Sequence, residues 1–530
     1  NRWHRAVWLV AWVLAALPSS HAAERVLHRV GTDDPSTIDP HKASFPGEQL
    51  IIVDLFMSLT TVGMNGRPMP GAAESWTVSP DGRVYTFTLR ANSRWSDGKP
   101  MTAEDWVWSF RRMLDPKTAY PLASRLFPIR NAREVAMGRQ PASALGVRAV
   151  DARTLRMELE NPTPYLTDVM MTAAMPVPRH VIEKHGAAWL RPENFVSNGP
   201  FVLDEWRPNG HVRLRRNPHF WGADRVKLDA VYHYPLGNPA TVLRRFEAGE
   251  LDLLMVVPPE RLEEMRKAGN KSVRIARGIA NEVIVFNTRS GPTADVRVRR
   301  AINLGIDREG LKTLLGGMMS VPVGTVPRGH PWFGNPSFNI RTDKAEARRL
   351  LAEAGYTPQR PLTLKVQISA SGSGQMQPLP MNEFLQQDLK GIGVNVEFDV
   401  VEWNTLFANW RQGCTHAAAR GAHATNVSFA AMDPFFAMVR FWDSKMAPPV
   451  SNNWGFFNDP RFDAMIAEAR NAFEPAARDA ALARLHAAGV DEALFIWIAH
   501  DVSPRAMSPR VRGYVQPQSW FVDLRLPYIQ

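Results

Sequence analysis

Alternating and helical hydrophobic patterns follow one another along the chain and predict a mixed α/β fold. Large apolar side chains alternate with smaller ones through residues 84–89 and with charged ones through residues 155–159, which predicts strands. Thr102 predicts the start of a helix, because Asp105 stands at the third helical position and apolar residues follow it. Further helices are predicted at residues 181–190, 240–246, 344–354, 463–469 and 476–487, and one is expected after Asp295.

The second half of the chain carries the pattern of a strand–helix–strand unit. Alternating residues at 362–366 and 394–398 flank a helical segment at 379–389. The continuous apolar run 495–498 predicts a buried strand. No long polar linker separates the predicted elements. We therefore expect lobes that the chain crosses several times, as in a hinged clamp, and not independent domains.

The first residues carry the pattern of a secretory signal peptide. Arg2 and Arg5 precede an apolar run of twelve residues, 6–17, and Ser20-His21-Ala22 places small residues before a cleavage position. We expect residues 1–22 to be removed and the mature protein to lie in the periplasm. No later stretch is long and apolar enough to predict a transmembrane helix. The single cysteine, Cys414, lies too far from the cleavage position to carry a lipid anchor.

The charge of the chain does not predict a nucleic-acid partner. The formal net charge is +11, but basic residues are scattered and acidic residues stand among them. The densest basic group, on a predicted hairpin, is interpreted as a solvated face; it comprises Arg207, Arg213, Arg215 and Arg216.

No pattern of residues predicts catalysis, a cofactor or a metal ion. Ser371-Gly372-Ser373-Gly374 follows a strand but lacks the lysine and spaced glycine of a phosphate loop. Cys414, His416 and His423 match no metal-ligand spacing. No Gly-x-Ser-x-Gly motif is present. We expect a protein that is not an enzyme, although an exported hydrolase without a recognised motif stays open as an alternative.

An ordered series of short segments resembles a known family. The segments are Asp39-Pro40-His41-Lys42, Pro70-Gly71-Ala72-Ala73-Glu74-Ser75-Trp76, Trp95-Ser96-Asp97-Gly98, Ser197-Asn198-Gly199-Pro200-Phe201, Arg216-Asn217-Pro218, Asp295-Val296-Arg297-Val298-Arg299-Arg300-Ala301 and Leu351-Ala352-Glu353-Ala354-Gly355-Tyr356. In this order they resemble the oligopeptide-binding proteins of the peptide/nickel class, family 5 of the extracellular solute-binding proteins of ABC importers. The series extends over nearly all of the chain that follows the signal segment.

The resemblance implies a two-lobed fold with a hinged ligand cleft, mixed sheets and an extra third domain. It places lobe I in residues 23–46, 179–285 and 505–530, the extra domain II in residues 47–178, and lobe III in residues 286–504. It implies capture of a peptide or peptide-like solute and delivery to a membrane permease and its ATPase. We expect the protein to act as a monomer.

The resemblance also identifies candidate ligand-binding residues and one departure from the family. Trp403 matches a tryptophan that walls a side-chain pocket, although a core position is equally expected. The aspartate that holds the peptide amine in the family is replaced here by Ala430, four residues before Pro434. The amine contact is therefore moved to Asp433 or Asp34, or it is absent. Arg420 is a candidate for the ligand carboxylate, and Asn426, at the end of the preceding loop, completes the candidate set.

The missing aspartate leaves other ligands and roles open. An opine-like compound, a sugar or a metal chelate would fit a transport protein without an amine anchor. An exported enzyme is a less favoured alternative, and an exported chaperone or sensor with the same fold is another.

Overall fold

The computed structural model describes residues 24–31, 34–43, 46–63, 68–254, 257, 259–267, 273–274, 280–370, 378–430, 433–472, 474–501, 505–515 and 523–530. The expected signal segment, residues 1–22, and the Ser371–Gly374 loop lie outside these residues.

The strands are β1 (Val26–Gly31), β2 (Thr60–Val62), β3 (Pro68–Pro70), β4 (Ala73–Val78), β5 (Val84–Leu89), β6 (Val147–Ala149), β7 (Thr154–Glu158), β8 (Phe201–Arg207), β9 (His211–Arg216), β10 (Ala230–Pro235), β11 (Leu253–Leu254), β12 (Val273–Arg274), β13 (Ala280–Phe286), β14 (Met319–Ser320), β15 (Leu362–Ser369), β16 (Val394–Val401), β17 (Ala424–Ala430), β18 (Phe495–Asp501), β19 (Arg505–Met507), β20 (Val511–Arg512) and β21 (Tyr528–Ile529).

The α-helices are α1 (Pro46–Leu55), α2 (Ala103–Met113), α3 (Ala132–Ala136), α4 (Leu166–Ala173), α5 (Arg179–His185), α6 (Pro239–Glu247), α7 (Pro259–Lys267), α8 (Val296–Leu304), α9 (Arg308–Leu314), α10 (Lys344–Glu353), α11 (Pro378–Lys390), α12 (Trp403–Trp410), α13 (Arg440–Trp442), α14 (Pro460–Asn471) and α15 (Pro475–Asp491). Short 3₁₀ turns, such as Ala123–Leu126, link some of them.

Two large mixed sheets form the centres of two lobes. The first sheet has the strand order β12-β19-β11-β1-β10-β9-β8, and the second has the order β14-β18-β13-β17-β15-β16. In the first sheet β1 is parallel to β10 and β11, and β9 and β19 run antiparallel to their neighbours. In the second sheet β15 is parallel to β16 and β17, whereas β13 is antiparallel to β17 and β18.

A smaller sheet, β4-β5-β7-β6, packs beside the first lobe. Phe87 and Leu155 of this sheet, Trp106 of α2, and Leu27 and Val231 of the first large sheet belong to one apolar core. The small sheet therefore forms a third layer that is continuous with the first lobe and does not have a separate core.

The second large sheet is covered on both faces. Val283 and Trp497 contribute to a core with the aromatic residues of α12, whereas Ile284 and Ile496 contribute to a core with α8 and α11. Every residue of β18 is buried because both faces of the sheet are covered, and its first five residues are apolar as expected for such a strand.

The chain passes between the two large sheets at two crossings. One lies between Arg274, the last residue of β12, and Ala280, the first residue of β13. The other lies between Asp501 of β18 and Arg505 of β19. Four residue steps span at most about 14 Å, so the two sheet edges face each other closely at the second crossing. The expected end of lobe I at residue 285 would divide β13, which pairs throughout with the second sheet.

Most of the elements predicted from the sequence are confirmed. Thr102 and Asp105 form the reciprocal capping box of α2, and the Asp295 side chain accepts a hydrogen bond from the backbone N–H of Arg297 at the start of α8. The predicted single helix at residues 181–190 is wrong. Gly186 has a φ of 52°, which ends α5 and leaves a 3₁₀ turn over Gly186–Leu190. Within the described part of the chain, no helix has the length and apolarity to cross a membrane.

Candidate functional site

The facing edges of the two large sheets form the candidate ligand site. Strands β15, β16, β17 and β18 run in one direction and end at the same edge, from which β13 starts. Strands β1, β10 and β11 end at the facing edge of the first sheet. Ligands of open α/β sheets bind beyond the carboxyl ends of the strands, so the expected site lies between these two edges.

A buried ion pair connects the third layer to the second lobe across this site. A guanidinium nitrogen of Arg125, in the 3₁₀ turn Ala123–Leu126, lies 2.9 Å from a carboxylate oxygen of Asp433, and each side chain is 1% exposed. The two residues are 308 positions apart in the sequence. Arg125 also donates a hydrogen bond of 2.7 Å to the hydroxyl of Thr172 at the end of α4. The pair therefore joins the third layer directly to the second lobe.

Additional positive charge surrounds the Arg125–Asp433 pair. Burial lowers the pKa of the Arg440 guanidinium to about 9; Asp433 opposes this shift, and Arg125 and Arg411 add to it. Arg440 stacks on Phe441 at 4.5 Å. Burial likewise lowers the pKa of Arg411 to about 10. These four charged side chains together carry a net positive charge, and we refer to them as the arginine cluster.

The same interface contains a second polar link and a small cavity. Arg470 of α14 forms a hydrogen bond with Tyr165 and lies 2.7 Å from the carboxylate of Asp443. A cavity of 260 Å³ lies between the 124–169 region and residues Lys445, Met446 and Arg470. Burial raises the pKa of the Tyr165 hydroxyl, so this group stays a neutral hydrogen-bonding partner.

A buried carboxylate lies near the crossings. Glu282 is the third residue of β13 and is 4% exposed. Burial and the nearby Asp501 raise the pKa of Glu282 well above its usual range. Asp501, the last residue of β18, is also buried. Two acidic side chains therefore lie together at the cleft edge of the second sheet.

The structure places the residues proposed from the sequence at different parts of this region. Trp403 is buried at the start of α12, where its ring contacts Trp410 edge-on at a centroid distance of 5.7 Å. Asn426 is buried in β17 and donates a hydrogen bond of 3.1 Å to the carbonyl of Val283. Asn426 was expected at the end of a loop, but it lies within a strand because β17 begins at Ala424.

The two remaining candidates are Arg420, in the second lobe, and Asp34, in the first lobe. Arg420 follows a 3₁₀ turn with its side chain 64% exposed, and it lies 2.8 Å from the carboxylate of Asp399. Asp34 follows β1 in the first lobe, where one carboxylate oxygen accepts a hydrogen bond of 3.0 Å from the backbone N–H of Asn209. Its other oxygen is buried without a hydrogen-bond partner among the described residues.

Sequence reasoning missed Arg125, Arg440 and Glu282. Glu282 had a signal, because a single acidic residue interrupts the apolar segment Ala280–Phe286. No sequence signal identified Arg125, because only the fold brings it close to its partner Asp433.

The cysteine and histidine residues considered as metal ligands have structural contacts. His416 accepts a hydrogen bond from the backbone N–H of Ala418, and His423 accepts one from the backbone N–H of Lys365. Burial raises the pKa of the Cys414 thiol to about 11. Across the described ranges, no group of three or more histidine, cysteine or acidic side chains is arranged to hold a metal ion.

Comparisons with known proteins identify the family of this fold. The model of the bacterial extracellular solute-binding proteins, family 5, matches residues 67–446. The periplasmic oligopeptide-binding protein of Escherichia coli (strain K12) is 30% identical over 96% of this chain and 95% of its own length. The probable deoxycholate-binding periplasmic protein of the same organism is 30% identical over 96% of this chain and 95% of its own length.

A solved structure extends the likeness to three dimensions. The Escherichia coli murein tripeptide binding protein is 29% identical and superposes with a TM-score of 0.85 over 96% of this chain and 99% of its own. The two-lobed fold with its additional layer is thus shared along the whole described chain. This chain belongs to family 5 of the bacterial extracellular solute-binding proteins.

Proposed function

We propose that this protein captures peptides or peptide-like solutes in the periplasm and delivers them to a membrane permease and its ATPase. The observation that carries this proposal is the buried arginine cluster at the junction of the two halves of the fold. Charges enclosed in a cleft suit a ligand with charged ends, because a ligand carboxylate can replace the water lost by the guanidinium groups. The oligopeptide-binding and murein tripeptide-binding relatives support this ligand class.

We propose that closure of the two lobes encloses the ligand. The chain passes between the two large sheets at two places, and hinged domain closure around a ligand is common in two-lobed binding proteins. In the closed form Arg125 approaches Asp433, so closure is coupled to the formation of this ion pair. A peptide carboxylate near Arg411 and Arg440 would add charge-assisted hydrogen bonds that the open form lacks.

We propose roles in this cleft for the ligand-binding candidates that were identified from the sequence. Asp433 is proposed as a carboxylate shared between Arg125 and the ligand, and Asp34 as a contact from the first lobe. Trp403 is proposed to support the pocket wall through α12, and Asn426 and Arg420 to contribute polar contacts along β17 and the loop before it.

We further propose that the protein binds without catalysis, acts as a monomer, and loses residues 1–22 during export without gaining a lipid anchor. The proposed lobe I comprises residues 23–46, the segment from 179 to the first crossing, and 505–530. The extra domain II comprises residues 47–178, and lobe III extends from the first crossing to residue 504.

A non-peptide solute is the second candidate ligand. Position 430 is an alanine, and the deoxycholate-binding relative is as similar to this chain as the oligopeptide-binding one. A bile-salt-like ligand has one carboxylate and no amine. The arginine cluster would also accommodate such a carboxylate.

Calorimetric titration separates these two ligand classes. We expect trialanine to bind and to be recovered intact, and its C-terminal amide to bind more weakly by about 2–5 kcal/mol, because amidation removes the charge that faces the guanidinium groups. Deoxycholate is the comparison ligand. Binding of deoxycholate without binding of any peptide would favour the second candidate, and hydrolysis of the bound peptide would contradict the non-catalytic proposal.

A further inference from the structure

Glu282 is an acidic side chain in a position where a charge is costly. It lies in β13, directly after the first crossing, and is 4% exposed. Among the described residues, burial and the charge of Asp501 act on its carboxyl group, and no cation or hydrogen-bond donor offsets them. Buried carboxylates in proteins are normally paired with a cation or with hydrogen-bond donors. Glu282 lies at the sheet edge where β17 and β18 end, and a buried acid without such a partner at this edge is a group that a ligand can complete.

The surroundings of Glu282 increase its preference for a positive partner. In the pairing register Glu282 stands opposite Ala499 of β18, two residues before Asp501. The field of Asp501 acts on Glu282 and favours the protonated form of its carboxyl group. The same field of Asp501 attracts a cation to the neighbourhood of Glu282.

The neighbouring strand connects Glu282 with the position of the missing family aspartate. Glu282 pairs with Ser428 of β17, and Ala280 pairs with Ala430. Ser428 is thus the residue opposite Glu282, and position 430 lies two residues farther along β17. Diagonal neighbours on adjacent strands lie about 7–8 Å apart between backbones, a separation across which long side chains interact.

We propose that Glu282 receives the ammonium group of the ligand and so replaces an anchor at position 430. This inference rests on the proposed peptide-binding function and names the residue that selects a free amine. When the ammonium enters, the carboxyl proton of Glu282 passes to solvent, and the resulting carboxylate pairs with the ligand nitrogen. Asp501 strengthens this attraction from the neighbouring strand. The arginine cluster is left to receive the other end of the ligand.

The test compares trialanine with N-acetyl-trialanine by calorimetry on wild type and on Glu282→Gln. Wild type should prefer the free peptide, and Glu282→Gln should weaken binding of the free peptide by at least about 30-fold. Binding of the acetylated peptide should change by less than about threefold, since the acetylated peptide carries no ammonium group. Glu397→Gln, which removes an exposed carboxylate of the same sheet, should retain the wild-type preference.

A double variant tests whether the carboxylate that pairs with the ligand ammonium can be moved from position 282 to position 430. A restored preference would also show that the variant protein is folded. Ala430→Asp in the Glu282→Gln background should restore the preference for the free amine. Equal binding of both peptides by wild type would overturn the inference while leaving peptide binding intact. An unchanged preference in Glu282→Gln would also overturn it. If wild type binds neither peptide, the proposed function fails together with this inference.

Discussion

At the scale of single residues, burial makes the Arg125–Asp433 ion pair necessary for the stability of the fold. Both side chains are 1% exposed, so each charge has lost its hydration. Such a pair contributes little compared with apolar residues of the same volume, but removal of one partner leaves an uncompensated buried charge. Arg125 is therefore dependent on Asp433 whatever the ligand is.

Asp433→Asn should destabilise the protein by about 3–5 kcal/mol, because the Arg125 guanidinium loses its carboxylate in a buried position. Urea denaturation measures this change. Asp399→Asn is the matched control, since its partner Arg420 is 64% exposed and such pairs contribute at most about 1 kcal/mol. Equal unfolding midpoints for the two variants would show that the Arg125–Asp433 pair is not buried in solution.

His486 makes the stability of the second lobe sensitive to acid. Its Nε2 accepts a hydrogen bond of 2.9 Å from the backbone N–H of Thr325, and its Nδ1 donates one of 2.6 Å to the carbonyl of Phe333. This arrangement needs the neutral ring, and burial lowers the pKa of His486 to about 4. In the unfolded chain the pKa is near 6.5, so the unfolded state binds more protons between these two values.

Stability should therefore fall as the pH decreases from about 6.5 towards 4. Between pH 7 and pH 5 His486 alone should account for a loss of about 2 kcal/mol. His486→Gln should be less stable at pH 7 but should lose correspondingly less on acidification. Exposed His219 provides the control, because His219→Gln should leave the pH dependence unchanged. A His486→Gln variant with the full wild-type pH dependence would contradict this assignment.

The candidate site was only partly predictable at this scale. Asp433 could be selected because it stands beside Pro434, in a segment that the family resemblance identified. Its partner Arg125 is 308 positions away, and no local pattern connects the two. Glu282 was visible as an acidic residue in an apolar strand, but its lack of a partner follows only from the packing around it.

At the scale of elements, the sequence was most informative where local chemistry decides the structure. The α2 capping box and the parallel β15–α11–β16 unit follow from residues close in sequence, and both are confirmed. The helix expected at 181–190 failed at Gly186, which continues the chain in a left-handed conformation. The pairing of β13 between β17 and β18 could not be predicted, because its partners are more than a hundred residues away.

Gly489 tests whether packing or helix propensity controls α15. A methyl group at this position would contact the ring of Trp442, which is fully buried. Glycine-to-alanine substitution normally stabilises a helix by about 1 kcal/mol. Here we expect Gly489→Ala to destabilise the protein, because overpacking costs about 1–3 kcal/mol.

Thermal unfolding measures the sign of this effect. Gly489→Ala combined with Trp442→Phe should recover part of the loss, because the smaller ring leaves room for the methyl group. Ala480→Gly, on the exposed side of the same helix, reports propensity alone and should lower the unfolding temperature slightly. A higher unfolding temperature for Gly489→Ala would mean that α15 lies farther from Trp442.

At the scale of the whole molecule, the interface between the halves carries the polar contacts that the proposed closure would use. The Arg125–Asp433 pair and the Arg470–Tyr165 hydrogen bond both join the 124–169 region to the second lobe. The order of family segments along the chain predicted the two-lobed fold. It could not predict these contacts, which depend on side chains brought together from distant segments.

Native mass spectrometry of the protein purified from its own periplasm tests whether it encloses a peptide-like ligand, because an enclosed ligand stays bound during gentle purification. We expect an added mass that dissociates as an intact peptide or peptide-like molecule carrying a carboxylate. Recovery of a chemically converted product, or of a bound molecule with no anionic group, would contradict it.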